Sequence, residues 1–502
     1  MRGSILRRLR PGLAWAAVLG LIFLAWHLKH PLTYWLRPCE TPLLLGLGMS
    51  GGLWLWRSRK RSGYGLFAIA MLALVGLTLY RELEFMETRA QVLAADADMR
   101  LLGSHFVVGF ERFSDIEGLA EQGLIGGIYL TRRNVRHSSP IEVAGQIARL
   151  QQLRQQAGLP PLIVAADQEG GSVAHLSPML ANLPPLASLL ERDSGSLHDR
   201  ARRYGEEQGA GLARLGINLN FGPVVDLRPE RPIAEDKLTN IGARAISADP
   251  LLVSEVADGY IAGLTSSGVR ATLKHFPGLG RVRQDTHLKA ARLTETPAEL
   301  AADWLPFRTL GGQPATAMML GHVTLNSIDP AHAASHSAAV VDGLLRRDWG
   351  YDGILITDDL NMGAVYQHGI GRVAGEALAA GVDLVLVSYD PEQYYRALHG
   401  AAQALQRGEI PRHRLSASQW RLEKFAGAAP ASRQAGAAGN SGDKIATPVS
   451  YPPHDAPADS RLVAGKPALT RQLRRRRQCG NGQRTDRLAG RRTGGHFLLP
   501  VG

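Results

Sequence analysis

The sequence contains very little cysteine. Its two cysteines among 502 residues are Cys39 and Cys479, one near each end. The central region can therefore form neither an internal disulfide nor a thiolate metal site, and cysteine usage does not decide the redox compartment.

Acidic residues are scarce at both ends of the chain. Residues 1–80 hold ten Lys and Arg against a single acid, Glu40, and residues 428–502 hold thirteen bases against four acids. Each end thus carries a charge of +9, which leaves −6 for the middle of a chain whose net charge is +12. A basic nucleic-acid-binding surface on the central region is not supported, and we expect no nucleic acid partner.

Three apolar runs occupy the N-terminal part, at residues 12–28, 42–56 and 64–80. Each is near the lower limit of the ~17–25 residues that a membrane helix needs. Basic residues precede the first run and fill the second connection, so the positive-inside rule places the N-terminus in the cytoplasm and the chain after Tyr80 outside. We therefore expect residues 1–80 to be an anchor of about three transmembrane helices in contact with membrane lipid. A cleaved signal peptide is the alternative for the first run, and loss of the glycine-rich second helix would invert the orientation.

A helical neck is expected at residues 81–102, and one pattern then repeats up to residue 426. Short apolar runs end in a polar or glycine break and are followed by segments of helical character. Such alternation is typical of α/β proteins with parallel strands covered by helices. It predicts a (β/α)8 barrel of the TIM type at residues 103–426, with an open doubly wound sheet as the alternative. The eight predicted strands are residues 106–110, 126–130, 162–166, 219–223, 271–275, 317–320, 353–356 and 383–387.

The composition changes after the repeating region. Ala, Gly, Ser, Pro and Arg dominate residues 427–502, with little periodicity and four consecutive arginines at 474–477. Such a segment does not contain enough apolar surface to form a core, so we expect a disordered, low-complexity basic tail.

Polar residues cluster where the predicted strands end, which is where such barrels keep their chemistry. Asp285 and His287 lie two apart in one of these loops, so the carboxylate can orient the imidazole and raise its basicity. Retaining glycoside hydrolysis uses two such groups, a carboxylate and an acid/base that face each other across the end of the barrel. The remaining strand-end polar residues are Asp167, Asp226, Lys274, His275, His322, Asp358 and Asp359.

One stretch makes a family resemblance specific. Residues 344–361 read Leu-Leu-Arg-Arg-Asp-Trp-Gly-Tyr-Asp-Gly-Ile-Leu-Ile-Thr-Asp-Asp-Leu-Asn. This resembles the signature of glycoside hydrolase family 3, whose nucleophile is the aspartate directly after the Ser or Thr. The resemblance implies that Asp358 is the nucleophile, and we expect Asp359 to be structural.

Residues 274–287 resemble the bacterial β-N-acetylglucosaminidase branch of that family. Its loop reads Lys-His-Phe-Pro-Gly and later Asp-Thr-His, and a histidine supported by an aspartate serves there as the acid/base. The resemblance implies these roles for His287 and Asp285, and an amino-sugar glycan of the cell-wall type as substrate. It also implies that a further set of residues binds the sugar of the −1 subsite, namely Asp167, Arg244, Lys274 and His275.

The expected enzyme is an exo-acting, retaining β-N-acetylhexosaminidase without a cofactor or metal ion. His332 and His336 have a spacing that could hold zinc, but no third ligand accompanies them in the sequence. The topology would place the enzyme in the inner membrane of a bacterium, with the barrel on the periplasmic side. A β-glycosidase of other sugar specificity and a catalytically silent glycan-binding barrel are the alternatives.

Two positions depart from the family pattern. Leu279 stands where the family usually has histidine, and Ser172 stands where it usually has arginine. These departures bear on the conformation of the loop and on substrate binding. They leave in place the two catalytic groups, which are the Asp358 carboxylate and the Asp285/His287 pair.

Overall fold

The computed structural model describes residues 2–57, 64–191, 195–230, 238–366 and 368–427. Within these residues the α-helices are α1 Arg2–Trp26, α2 Glu40–Arg57, α3 Tyr64–Leu93, α4 Ala97–Gly103, α5 Glu117–Glu121, α6 Arg132–Val135, α7 Pro140–Gln156, α8 Leu197–Leu215, α9 Ile241–Arg244, α10 Pro250–Ser266, α11 Ala301–Leu310, α12 Gly363–Tyr366, α13 Ile370–Ala380, α14 Gln393–Gln406 and α15 Arg412–Gly427. The strands are β1 Phe106–Val108, β2 Gly127–Leu130, β3 Ile163–Ala166, β4 Gln168–Gly170, β5 Val173–Ala174, β6 Leu219–Asn220, β7 Ala271–Phe276, β8 Ala291–Leu293, β9 Thr316–Leu320, β10 Val323–Leu325, β11 Ile354–Thr357 and β12 Val385–Val387.

Each of the eight runs predicted as a strand overlaps one: β1, β2, β3, β6, β7, β9, β11 and β12. Five of these strands form one parallel sheet in the order β12-β1-β2-β3-β6, and three form another in the order β11-β9-β7. Parallel bridges pair Leu219 with Arg270 and Ile356 with Leu384, so the two sheets are hydrogen-bonded to each other at both edges.

The helices between the strands begin at sequence signals that favour a helix start. Ser139 accepts a hydrogen bond from the backbone N–H of Glu142, and the Glu142 side chain accepts one in return, which forms a capping box before α7. Asp249 caps α10 in a similar way, and both helices have proline at their first position.

Apolar side chains fill the space between the strands at the end where the strands begin. Ile354 at the start of β11 and Phe425 of α15 belong to one buried cluster there, which extends along the strands to Tyr129 and Phe221. The guanidinium of Arg270 lies 4.6 Å from the Phe425 ring centre. This end is therefore closed by α15, and the polar strand-end residues occupy the opposite end.

The N-terminal part forms three helices, but the expectation of three membrane spans is supported for one of them only. Among the described residues, Gly65–Leu93 is the one helix long and apolar enough to cross a membrane, with a mean hydropathy of 1.7. Gly12–Trp26 is apolar but shorter. The third helix also continues past Tyr80 to Leu93, so the expected span and the first part of the neck share one helix, and α4 follows as a separate helix. The expected tail, apart from Gly427, lies outside the described residues.

Candidate active site

Asp358 follows β11 directly at the polar end of the strands. Its backbone N–H donates to the carbonyl of Leu320, the last residue of β9, at 2.9 Å. Burial acts to raise the pKa of the Asp358 carboxyl, but the imidazoles of His275, His322 and His287 outweigh burial and lower that pKa below its ordinary value. Asp358 is therefore a carboxylate at neutral pH, as a nucleophile must be.

Asp359 has a different environment although it is the next residue. Its carboxylate accepts hydrogen bonds from the hydroxyl and backbone N–H of Ser388, at 2.7 and 3.0 Å, and from the backbone N–H of Tyr389 at 2.9 Å. It also accepts from Asn361 at 3.0 Å. These bonds connect β11 to the loop after β12, which is the environment of a carboxylate that stabilises the structure.

Asp285 and His287 form the expected pair. Nδ1 of His287 lies 3.1 Å from Oδ1 of Asp285, and the backbone N–H of His287 donates to the same oxygen at 3.0 Å. Burial acts to raise the pKa of Asp285, but the hydrogen bonds from His287 and from the backbone N–H of Leu238 hold it well below the ordinary range. An ionised carboxylate only accepts, so Nδ1 carries the proton of the pair.

The charge of His287 is also adjusted by its surroundings. Burial acts to lower the pKa of His287, but the hydrogen bond to Asp285 and the charge of Asp358 outweigh burial and raise the pKa above 6.5. The His287 side chain is 41% exposed, whereas that of Asp285 is 3% exposed, so the imidazole is the accessible member of the pair. Gly363 donates its N–H to the carbonyl of His287 at 2.8 Å, which joins this loop to the turn that follows Asp358.

Thr239 contacts both members of this pair and was not among the residues predicted from the sequence. Its hydroxyl donates to Oδ1 of Asp285 at 3.1 Å and lies 3.1 Å from Nδ1 of His287. The side chain is buried, and its carbonyl accepts from Nη1 of Arg244 at 2.9 Å. No local pattern could identify it, because a threonine 46 residues before Asp285 reaches that residue only through the fold.

A buried group of alternating charges lies beside these residues. Nζ of Lys274 contacts the carboxylate of Asp167 and lies 2.5 Å from Oε1 of Glu169. Arg244 donates to Glu169 through Nη2 at 2.7 Å and Nε at 3.0 Å. The Tyr129 hydroxyl donates to Asp167 at 2.6 Å. The structure thus brings together three of the four predicted sugar-binding residues.

Glu169 joins the two cations of this group, a role that the sequence analysis did not assign. The signal was available, since Glu169 lies two residues after Asp167 in the same strand-end motif. Burial acts to raise the pKa of Glu169, but the charges of Arg244 and Lys274 lower it below its ordinary value.

His275 is held apart from that group by Asp226. Its Nδ1 lies 2.7 Å from Oδ2 of Asp226, and its backbone N–H donates to the same oxygen at 3.0 Å. The other oxygen of Asp226 accepts the N–H of Leu279 at 2.8 Å. Asp226, one of the strand-end acids in the sequence, therefore positions His275 and the loop that leads to His287.

The two positions that depart from the family pattern occupy different environments. The Leu279 side chain is 3% exposed and belongs to the hydrophobic core. Ser172 is exposed. The loop at Leu279 is also fixed by Gly280, where a Cβ atom would lie only 2.3 Å from the carbonyl oxygen of Leu227.

The remaining histidines of this region contact partners within the protein. His322 is buried and lies with Nδ1 2.8 Å from the Ser335 hydroxyl and Nε2 3.0 Å from the carbonyl of Asp359. His332 lies 3.0 Å from Asp329. Among the residues that the structure describes, no three His, Cys, Asp or Glu side chains are grouped so that they could hold a metal ion.

Comparison with known proteins gives consistent matches. Residues 102–425 match the family model described as glycosyl hydrolase family 3 N terminal domain. The chain is 34% identical over 279 residues to a protein of Nitrosomonas eutropha named beta-hexosaminidase, covering 54% of this chain and 75% of that protein. It is 35% identical over 273 residues to a beta-hexosaminidase of Alkalilimnicola ehrlichii, covering 53% and 75%.

A solved structure shares the fold. It is a glycoside hydrolase family 3 beta-N-acetylglucosaminidase from Paenibacillus sp., 31% identical, with a TM-score of 0.61. The match covers 70% of this chain and 66% of that one.

Proposed function

The chain belongs to glycosyl hydrolase family 3 and is a glycoside hydrolase, and we propose that it is a retaining exo-β-N-acetylhexosaminidase. Its substrate would be a glycan of the cell-wall type, from which it removes terminal β-linked N-acetylglucosamine. The relatives named beta-hexosaminidase support this substrate class. The observation that carries the proposal is geometric: the loop that holds the accessible His287 against Asp285 is hydrogen-bonded, through Gly363, to the turn that follows Asp358.

In the proposed first step, the Asp358 carboxylate attacks the anomeric carbon as the bond to the leaving oxygen breaks. Protonated His287 gives its proton to that oxygen through Nε2, so the leaving group departs as a neutral alcohol. The raised pKa of His287 supports this step, because it keeps more of the imidazole protonated near neutral pH.

In the second step, the now neutral His287 takes a proton from water. The resulting hydroxyl attacks the anomeric carbon from the side that the leaving group vacated, and the bond to Asp358 breaks. The sugar leaves with its original configuration, and Asp358 and His287 return to their starting charges. Asp285 holds the tautomer throughout and stabilises the charged imidazole.

Asp167, Arg244, Lys274 and His275 would bind the sugar of the −1 subsite. The charges of Asp167 and Glu169 raise the pKa of Lys274 despite its burial, which keeps it cationic and able to donate to sugar hydroxyls. Glu169 would position Arg244 and Lys274, since it contacts both.

We propose that the eight parallel strands close into a (β/α)8 barrel. The two sheets and the bridges at both of their edges support closure. We further propose that the N-terminal helices anchor this barrel to the inner membrane of a bacterium, on the periplasmic side. The helix Gly65–Leu93 supports anchoring.

The direct test uses the full chain in detergent on aryl β-N-acetylglucosaminide and aryl β-glucoside. Hydrolysis of the first alone supports the proposal, and hydrolysis of the second indicates the other sugar specificity. A 5-fluoro N-acetylglucosaminyl fluoride should label Asp358 in a peptide map. Binding of N-acetylglucosamine without any turnover would instead indicate a silent glycan-binding barrel.

A further inference from the structure

The connection between α1 and α2, residues 27–39, lies against the catalytic end of the barrel strands. We refer to it as the rim segment. Tyr34 of this segment contacts the carboxylate of Glu111, which follows β1, and its hydroxyl accepts from Nη1 of Arg133, which follows β2, at 2.5 Å. The Tyr34 ring lies 5.4 Å from that of Tyr389, which follows β12.

Charged side chains fix the rim segment in place. Arg37 contacts the buried carboxylate of Asp390 and lies 2.5 Å from Glu392. Lys29 lies 3.3 Å from Glu392, and its carbonyl accepts from Gln393 at 2.6 Å. Separating the partners of a buried ion pair costs free energy, because a charge is then left buried without its counter-charge. These contacts therefore hold the rim segment in one orientation.

The rim segment also borders the loops around the proposed nucleophile. His30 packs edge-on against Tyr366, with ring centres 4.3 Å apart, and Tyr366 ends the short helix after Asp358. Tyr389 donates its backbone N–H to Asp359, the residue next to Asp358. The rim segment therefore lies next to the catalytic opening.

The outer side of the rim segment is apolar. Leu32 is 70% exposed and Trp35 is 75% exposed. The helices on either side also expose large apolar side chains, such as Leu19 at 60% and Phe23 at 62% in α1 and Met49 at 60% in α2. Tryptophan is favoured at the boundary between lipid tails and water, and large exposed apolar side chains of this kind are typical of a membrane contact.

We propose that the rim segment seats the catalytic opening at the bilayer surface, and that the substrate is an amino-sugar glycan attached to a membrane lipid. This inference depends on the proposed hexosaminidase function and membrane anchoring. An opening held at the headgroup level meets sugars that are themselves attached to the bilayer. When the enzyme and the glycan are both confined to the bilayer surface, their effective concentration is higher than it is for a glycan that diffuses freely in solution.

The test compares two substrates with the same terminal N-acetylglucosamine. One is a soluble aryl glycoside, and the other is a dialkylglycerol glycoside mixed into vesicles of phosphatidylethanolamine and phosphatidylglycerol that also hold the full-length enzyme. The variant is Leu32→Ser with Trp35→Ser, and the matched control is Trp420→Ser. Trp420 is 53% exposed and belongs to α15, which closes the opposite end of the strands.

We expect the double variant to lose at least about tenfold in kcat/KM on the lipid-linked glycoside while its hydrolysis of the aryl glycoside is unchanged. The Trp420→Ser control should match the wild type on both substrates.

The inference is overturned if the double variant keeps full activity on the lipid-linked glycoside or if both activities fall together. It is also overturned if the double variant changes the oligomeric state, because the segment would then join copies of this chain. A wild type that hydrolyses neither substrate overturns the proposed function as well, whereas aryl hydrolysis without a lipid preference overturns this inference alone.

Discussion

The hydroxyl oxygen of Thr239 lies 3.1 Å from Nδ1 of His287, as close to the imidazole as Asp285 is. The same hydroxyl donates to Asp285, so a single buried side chain contacts both members of the proposed acid/base pair. Thr239 does not reach the reacting atoms through these contacts. It acts on the reaction through the orientation of His287 and is therefore a positioning residue.

Replacement of Thr239 by valine should lower kcat while KM stays close to the wild-type value. Valine has a similar shape but no hydroxyl, so His287 loses one of the contacts that hold its ring. A hydrogen bond of this kind contributes about 1 kcal/mol, which corresponds to an about fivefold loss of kcat. Steady-state kinetics on the aryl glycoside measure the effect, and Thr239→Ser should restore most of it. An equal loss in the serine variant would contradict a role for the hydroxyl.

Replacement of Asp285 by asparagine should move the alkaline limb of the pH–activity profile to lower pH. The Asp285 carboxylate favours the protonated form of His287, whose pKa is raised above 6.5. Loss of that negative charge lowers the pKa of His287, so the proton needed for the first step is lost at lower pH. The profile of kcat/KM against pH measures this shift. The acidic limb, which reflects Asp358, should move little, and an unchanged alkaline limb would remove His287 from the acid role.

Replacement of His287 by alanine should affect substrates according to their leaving groups. An alcohol leaving group needs a proton, so we expect a loss of about 10²- to 10⁴-fold for natural glycans. Aryl glycosides with acidic phenols need little protonation and should still form the intermediate with Asp358. Azide should then accelerate their turnover, because it attacks the intermediate without a general base. A uniform loss across all leaving groups would contradict the assignment.

The sequence predicted the parts of the site that are close together along the chain. Strand ends could be located from apolar runs, and Asp285 and His287 are only two residues apart. Thr239 and the contacts between Glu169 and Arg244 depend on the fold, since they join residues that are 46 to 75 positions apart. The number of membrane helices was harder to predict, because each of the three apolar runs is near the lower limit of length for a membrane span.

Replacement of Asp358 by alanine should abolish turnover without changing the fold. The nucleophile forms the covalent intermediate, so we expect a loss of at least about 10⁴-fold for every leaving group. Among the described residues the carboxylate forms no ion pair with Lys or Arg, and it accepts the backbone N–H of Asp359 at 2.9 Å, so the melting temperature should change little. Asp359→Asn is the matched comparison, because it should lower stability through the loss of accepted hydrogen bonds. Undiminished turnover in Asp358→Ala would assign the nucleophile to another residue.

Replacement of Glu169 by glutamine should destabilise the protein and remove one source of its pH dependence. Glu169 is 7% exposed and is surrounded by Arg244 and Lys274, whose charges lower its pKa from 4.5 to about 2. A carboxyl group whose pKa is lower in the folded state stabilises the fold above its unfolded pKa, and this contribution is lost as the pH falls toward the folded value. Loss of one partner of a buried ion pair costs about 3 kcal/mol, because the two cations are left without their shared counter-charge.

Thermal unfolding at several pH values measures both effects. The wild type should lose its advantage over Glu169→Gln between about pH 4.5 and pH 2, and a difference that stays constant across this window would show that the Glu169 charge does not stabilise the fold.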